Sequence, residues 1–173
     1  MQIPIALAAI AIDGDSPDYD IICEWPYVDE FVRRILLNDL RIRMKFGRGQ
    51  LWVYRDPDGQ MVGFGSLDVN DDCSDFTNGQ RHLYIPLLAV NPTISSKGYG
   101  TSILQHLIHE AKTIAKQTDD IHDALFLDVY ITSQRAIALY ERCGFVSVVP
   151  HRTLIDSENN LEYLVMMNRV SDS

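Results

Sequence analysis

The sequence predicts a mixed α/β domain, with a central twisted mixed sheet flanked by helices. Three observations carry this expectation. Apolar runs of strand length alternate with segments whose apolar residues recur at helical spacing. Two of the runs are joined by a tight turn while others are separated by a whole helix, so both hairpins and crossovers are expected. The chain has 173 residues, 46% of them hydrophobic, which suits one domain over 1–173 with a buried core and excludes disorder throughout.

The elements follow in the order β–α–ββ–β–α–β–α–ββ. The apolar stretch Ile3 to Ile12 reads as a first, buried strand. It is far shorter than the roughly 20 residues a membrane span needs, and it lacks the basic start of a secretory signal. Asp13 to Asp20, "DGDSPDYD", reads as an acidic loop. Val28, Phe31, Val32, Ile35, Leu36 and Leu40 then recur at helical spacing. Two apolar runs flank Asp56-Pro57-Asp58-Gly59, a hairpin in which Pro57 presets one turn dihedral and Gly59 takes a positive φ. Asn70 to Gly79 reads as a polar loop. His82 to Val90 forms a strand with Pro86 inside it. Proline cannot donate to a ladder, so a bulge or an unpaired edge is expected there. Gly98 to about Lys116 is helical, with Ile103, Leu104, Leu107, Ile108, Ala111 and Ala115 on its apolar face. "DALFLDVYI" is a strand and "SQRAIALYERCG" a helix stopped by Gly144. "FVSVVPHR" and "LEYLVMMNRV" are closing strands around the turn "DSENN".

The formal charge of −9 argues against a protein whose main affinity is for phosphate backbone, so nucleic acid is not an expected partner. It either keeps the domain soluble or favours a cationic ligand. Cys23, Cys73 and Cys143 are odd in number, widely spaced and form no CxxC. They make neither a disulfide framework nor a zinc site, and they fit a reducing, cytoplasmic setting. His106 and His109 lie three apart on the predicted long helix. A metal pair wants i,i+4 spacing and a third ligand, so a solvated face is expected and no metal site is read.

The most informative window is Leu87 to Leu104, "LLAVNPTISSKGYGTSIL". A strand runs into a glycine-bearing turn that opens a helix. Such a turn can aim several backbone N–H groups at one anion, aided by the helix dipole. Gly98 and Gly100 permit close approach, Lys97 adds charge, and Thr101 and Ser102 add hydroxyls. Position 103 is Ile, so this is not G-x-G-x-x-G, and no Gly-Lys-Ser/Thr run makes it a Walker A loop. A helix start with two turn glycines would look the same.

A second window, "LFLDVYITSQRAIALYERCGFV" from Leu125 to Val146, supplies context. Together the two windows resemble the GCN5-related N-acetyltransferase family. Its acetyl-CoA loop, Arg/Gln-x-x-Gly-x-Gly/Ala, follows a strand ending Val-x-Pro and corresponds to Ser95-Ser96-Lys97-Gly98-Tyr99-Gly100 after Val90-Asn91-Pro92. Its later motif, Asn-x-x-Ala-x-x-x-Tyr-Glu-x-x-Gly-Phe, corresponds to Ser133 through Phe145. The resemblance covers about residues 50–170. Ser95 replaces the usual Arg or Gln, which removes a side chain but no backbone donor. Ser133 replaces an Asn that commonly contacts the cofactor.

The resemblance implies an acyl-CoA N-acyltransferase architecture and acetyl-CoA as co-substrate. It makes Leu88, Ala89 and Val90 the platform for the pantetheine arm by strand-edge pairing, and Ser95 through Thr101 with Ser133 the remaining cofactor contacts. It makes Tyr140 the acid that protonates the departing thiolate, a role suited to a phenol. The general base stays open among Asp128, Asp68, Glu24, Tyr84 and His82; Asp128 could equally be solvated. Cys143 reads as a packed residue. Tyr19, Trp25 and Tyr27 either shape an acceptor pocket or are core aromatics. The implied reaction is direct attack of a primary amine on acetyl-CoA in a ternary complex, with a small molecule or peptide as acceptor, no membrane, and a homodimer as the oligomer common in the family. Two other readings stand beside it: a toxin-like enzyme acetylating aminoacyl-tRNA, which the charge disfavours, and a non-catalytic acyl-CoA-binding module.

Overall fold

The computed structural model describes residues 6–26, 37–70, 77–94, 98–148, 153–156 and 161–170. In chain order its elements are β1 (Ala8–Ile12), α1 (Pro17–Glu24), α2 (Leu37–Lys45), β2 (Gly49–Arg55), β3 (Met61–Asn70), β4 (Arg81–Tyr84), β5 (Leu88–Val90), α3 (Tyr99–Gln117), β6 (Ile121–Tyr130), α4 (Gln134–Arg142), β7 (Val146–Ser147), β8 (Thr153–Asp156) and β9 (Leu161–Arg169). The class is mixed α/β, as the sequence predicts. Among the described residues no helix is long and apolar enough to cross a membrane. The chain forms two compact units, Met1–Asp68 with Pro86–Leu107, and Val69–Ile85 with Ile108–Ser173.

In the first unit β1, β2 and β3 form an antiparallel meander, and β5 joins β3, also antiparallel. The β2–β3 hairpin turns as expected. Gly59 has φ +80°, and the Asp56 carboxylate accepts from the N–H groups of Asp58 (3.1 Å) and Gln60 (2.9 Å). One face of this sheet carries Leu51, Val53 and Phe64, which pack with Tyr19 and Ile22 of α1, Trp25 just after it, and Leu37 and Leu40 of α2. Alternate residues Trp52 and Tyr54 point to the other face, where they stand opposite Gly65 and Gly63 of β3. The bulky rings beside two glycines form a concave seat. Ile103 and Leu107 of α3 occupy it, and a Cβ on Gly65 would lie 2.9 Å from Leu107 Cδ1.

Three expectations need correction here. The strand at the start exists, but it is an edge strand, exposed over Ala8–Ala11 rather than buried; Met1–Ile5 lie outside the described residues. Its apolar composition signals strand, but only neighbours decide burial. The acidic segment is not all loop, because α1 starts at Pro17. Ser16 caps it by accepting from Asp18 N–H at 3.3 Å, Pro17 stands at the first helical position, and Asp18 and Asp20 face the positive helix end. His106 is not on a solvated face. It is half-buried in α3, with Nδ1 2.9 Å from the Tyr54 hydroxyl and its ring edge-on to Trp52. His109 is exposed. The helical pattern over 27–36 falls outside the described residues except for its continuation into α2.

In the second unit β6 pairs in parallel with β4 and antiparallel with β9, and β9 also holds β7 and β8. The parallel pair requires a long crossover, which runs through β5 and α3. Ala124, Phe126, Val148 and Val165 form its buried cluster. The run His82 to Val90 divides into two strands. The Ile85 N–H donates to the Phe126 carbonyl at 2.9 Å, and the Leu87 carbonyl accepts from Ser66 N–H at 2.9 Å. Pro86, with no N–H to offer, stands where the chain passes from one unit to the other.

Candidate active site

The first unit contains the strand edge and the glycine turn. β5 pairs with β3 in the register Gly65–Leu88, Phe64–Ala89 and Gly63–Val90. Leu87 and Asn91 bond to β3 on either side, since Asn91 N–H donates to the Val62 carbonyl at 2.9 Å. In an antiparallel ladder bonded and non-bonded pairs alternate. Ala89 is therefore turned toward Phe64, while the N–H and C=O groups of Leu88 and Val90 point away from β3. Among the described residues no strand pairs with that second edge. It presents two peptide groups in the spacing of an extended strand.

β5 ends in an Asx turn. The buried Asn91 accepts at Oδ1 from the Thr93 N–H (2.9 Å) and hydroxyl (2.7 Å). Ser95, Ser96 and Lys97 lie outside the described residues. The chain then reaches Gly98 with φ +83°, a conformation that disfavours any side chain. The Gly98 carbonyl accepts the first helical bond, from Ser102 N–H at 3.2 Å. The N–H groups of Tyr99, Gly100 and Thr101 precede that bond and have no acceptor within α3. No acidic side chain of the first turn offsets the positive helix end, which an anion would complement. The Tyr99 side chain is buried, so this residue can offer a ligand only its backbone N–H. Thr101 and Ser102 are half-buried with their hydroxyls in the first turn.

The second unit carries Ser133 and Tyr140 on α4. Ser133 is the N-cap. Its carbonyl accepts from Ala136 and Ile137, but its hydroxyl makes no capping bond. Tyr140 is half-buried, and burial pushes its phenol up to about 12. A group with that pKa stays protonated through the neutral range, which suits a donor. Its placement follows from the way α4 ends. Phe145 N–H donates back to the Tyr140 carbonyl at 3.0 Å and Gly144 N–H to the Glu141 carbonyl at 3.0 Å, with Gly144 at φ +90°. This is a Schellman ending. Its usual apolar contact is the Tyr140 ring against Phe145, with centroids 5.9 Å apart. The spacing Tyr-x-x-x-Gly-Phe thus has a direct geometric meaning. Burial also raises the Cys143 thiol; Cys73 lies outside the described residues.

The candidates for a base separate by environment. Asp68 is buried and ion-paired to Arg43 Nη1 at 2.8 Å, Arg43 also holding Asp39. His82 is fully buried with its ring edge-on to Phe126. Glu24 is exposed. Asp128 is not simply solvated: it is half-buried, and its Oδ2 accepts from the Tyr84 hydroxyl at 2.8 Å. Tyr19 and Trp25 are buried core aromatics; Tyr27 lies outside the described residues. Gly63 and Gly65 belong to neither of the two motif windows. Their signal was present, since alternate glycines within a strand often mark a close approach by another backbone.

Comparisons with known proteins bear on the family and the fold. The family model described as "Acetyltransferase (GNAT) family" matches residues 15–145. The [ribosomal protein bS18]-alanine N-acetyltransferase of Salmonella typhimurium is 32% identical over 80 residues, covering 46% of this chain and 50% of that protein. The match thus spans about half the length of that relative. Among solved structures, spermidine N-acetyltransferase from Vibrio cholerae in complex with CoA and spermine superposes with a TM-score of 0.67 at 17% identity, over 94% of this chain and 95% of the other. Arabidopsis thaliana NAA60 in complex with a bisubstrate analogue gives 0.68 at 17% identity, over 95% and 98%. These likenesses establish a shared fold.

Proposed function

The chain belongs to the acetyltransferase (GNAT) family, and on that premise we propose that it transfers an acetyl group from acetyl-CoA to a primary amine by direct attack in a ternary complex. The observation that carries the proposal is the free edge of β5 followed by a helix start whose positive end an anion would complement. An extended arm bearing amides pairs with such an edge, and a pyrophosphate suits N–H groups at a positive helix end. Leu88 and Val90 would hold the pantetheine arm, Ala89 being turned to β3. The backbone of Gly98, Tyr99, Gly100 and Thr101 would hold the phosphates, and Ser133, whose hydroxyl is not spent on capping, would add a contact. When bound, acetyl-CoA supplies an activated thioester carbonyl.

The chain's own groups have three tasks. An N–H on the β5 edge, from Leu88 or Val90, donates to the thioester oxygen as charge develops there, and a preorganised donor stabilises that charge more than mobile water does. Tyr140 keeps a proton on its hydroxyl for the departing sulfur. The Tyr84–Asp128 pair takes the proton of the attacking amine: Asp128 accepts the phenolic proton as the Tyr84 oxygen accepts from the amine or an intervening water. The acceptor is an amine of the classes that the relatives' names describe, a polyamine or the amino group of a protein alanine.

Two measurements test this. Acetyl-CoA should raise the melting temperature, because a ligand of the native state stabilises it; an unchanged melt at millimolar acetyl-CoA would refute the cofactor assignment. An amine panel of spermidine, alanine-initiated peptides and free amino acids, scored by thiol release, should give one class well above the rest. Binding without thiol release on any amine would instead identify a non-catalytic module.

A further inference from the structure

The means by which α4 is held points to a residue outside the sequence motifs. α4 is nine residues long, shorter than the roughly 12–15 at which isolated helices become even marginally stable. None of its residues is fully buried, and its N-cap hydroxyl makes no capping bond. Its N-terminal end is tied only to the turn just before it, by Ser133 N–H to the Tyr130 carbonyl at 2.8 Å and Gln134 Nε2 to the Ile131 carbonyl at 2.7 Å, whereas its C-terminal end is held by a distant strand. There Phe145 is buried, and the Asn168 side chain donates from Nδ2 to the Cys143 carbonyl at 2.9 Å. That carbonyl belongs to the last turn, where intrahelical donors have run out. Cys143 N–H in turn donates to the Tyr140 carbonyl at 3.0 Å. Asn168 lies on β9, opposite Leu125 of β6, while its neighbour Met167 pairs with both Phe126 of β6 and Val146 of β7. The donor is therefore mounted on an interior strand, two hydrogen bonds from the Tyr140 backbone. Its Nδ2 also lies 3.3 Å from the position a Cβ would take on Gly144, so the amide fits against the one glycine that ends the helix.

We propose that Asn168 is a positioning residue for Tyr140, anchoring the end of α4 so that the phenol is held in one orientation. The proposal rests on the acid role given to Tyr140 above for its kinetic consequence, but not for its structural one. Two variants test it. Asn168→Ala removes the donor, and Asn168→Asp keeps the shape while setting a carboxylate against a carbonyl. The first measurement is NMR of protein labelled at tyrosine rings, with the Tyr140 signal assigned by its loss in Tyr140→Phe. Both variants should move that signal and bring its titration from about 12 toward the ordinary value near 10. A Tyr140 signal and titration unchanged in both variants would overturn the proposal. The second measurement is kinetic. Asn168→Ala should lower kcat by roughly tenfold, as small misplacements of a reacting group do, with the Kd for acetyl-CoA unchanged. Introduced into Tyr140→Phe it should lower kcat by less than about twofold, because coupled residues are not additive. An equal loss in both backgrounds would overturn positioning in favour of general destabilisation. If Tyr140→Phe alone leaves kcat intact while Asn168→Ala still moves the Tyr140 ring, the acid role falls and the anchoring stands.

Discussion

Replacing Gly63 by alanine should loosen the cofactor platform as well as the fold. A Cβ at this position meets the backbone carbonyl oxygen of Ala89 at a distance no real contact tolerates, and lies 2.8 Å from Ile103 Cδ1. The isoleucine methyl can turn aside, but the carbonyl belongs to β5 and moves only with it. An ordinary C···O contact is about 3.3–3.6 Å, so β5 must retreat by roughly 1 Å. Overpacking of this kind costs about 1–3 kcal/mol, and alanine returns about 0.5–1 kcal/mol by restricting the unfolded chain. The net loss of about 0–2.5 kcal/mol corresponds to a melting temperature lower by at most roughly 10 °C for a chain of this size. The displaced edge should lose about one hydrogen bond to the ligand, some 0.5–1.5 kcal/mol, or roughly 2–12-fold in Kd. Gly65→Ala is the control. Its Cβ would meet Leu107 Cδ1 at 2.9 Å, the far end of a side chain that can rotate, so acetyl-CoA affinity should hold. Calorimetric titration with acetyl-CoA and thermal melts read both effects. The reasoning is refuted if Gly63→Ala binds like the parent, or if Gly65→Ala weakens binding equally.

Other outcomes follow from the same geometry. Tyr140→Phe should lower kcat by about 10–1000-fold while the Kd for acetyl-CoA changes little, as expected for a group that acts on the leaving sulfur; equal changes in both would show a packing role. Its phenol, pushed up to about 12 by burial, remains protonated as pH rises past its ordinary value of 10. The acid form, and any kcat that depends on it, should therefore be lost only as pH climbs from 10 toward 12, which a pH–rate profile against Tyr140→Phe would reveal. Gly98→Val, at φ +83°, should cost about 1–2 kcal/mol in stability and abolish acetyl-CoA stabilisation in a thermal shift. Arg43→Ala leaves the buried Asp68 carboxylate without that cation and should destabilise by about 3–5 kcal/mol, measured by urea unfolding, while Arg43→Ala with Asp68→Ala should recover part of the loss.

What the sequence made legible was local chemistry. Pro57 and Gly59 write a turn within four residues, the apolar stripe of α3 repeats over five turns, and Gly144 ends α4 within the stretch that positions Tyr140. What stayed illegible depended on partners far along the chain. The composition of Ala8–Ile12 says strand but cannot say edge. Asp128 stayed open between base and solvated residue because Tyr84 is 44 residues away in sequence, and His106 looked exposed because Trp52 and Tyr54 come from another strand. Asn168 stands 25 residues from the carbonyl it meets and belongs to no motif. α1, like Gly63 and Gly65, does carry a local signal: Ser16, Pro17 and Asp18 are a helix start, hidden by the acidic composition around them.

The open edge of β5 also has a bearing on self-association. An unpaired edge is an invitation to any extended chain, including another copy of the same protein. This edge is three residues long, below the usual strand length of about 5–6, and Pro86 and Pro92 bracket it. Neither proline can extend the ladder with an N–H. A short ligand arm finds two peptide groups in register, whereas a protein strand meets a ladder that stops almost at once. The prolines at either end thus shorten the ladder that this open edge offers to another protein strand.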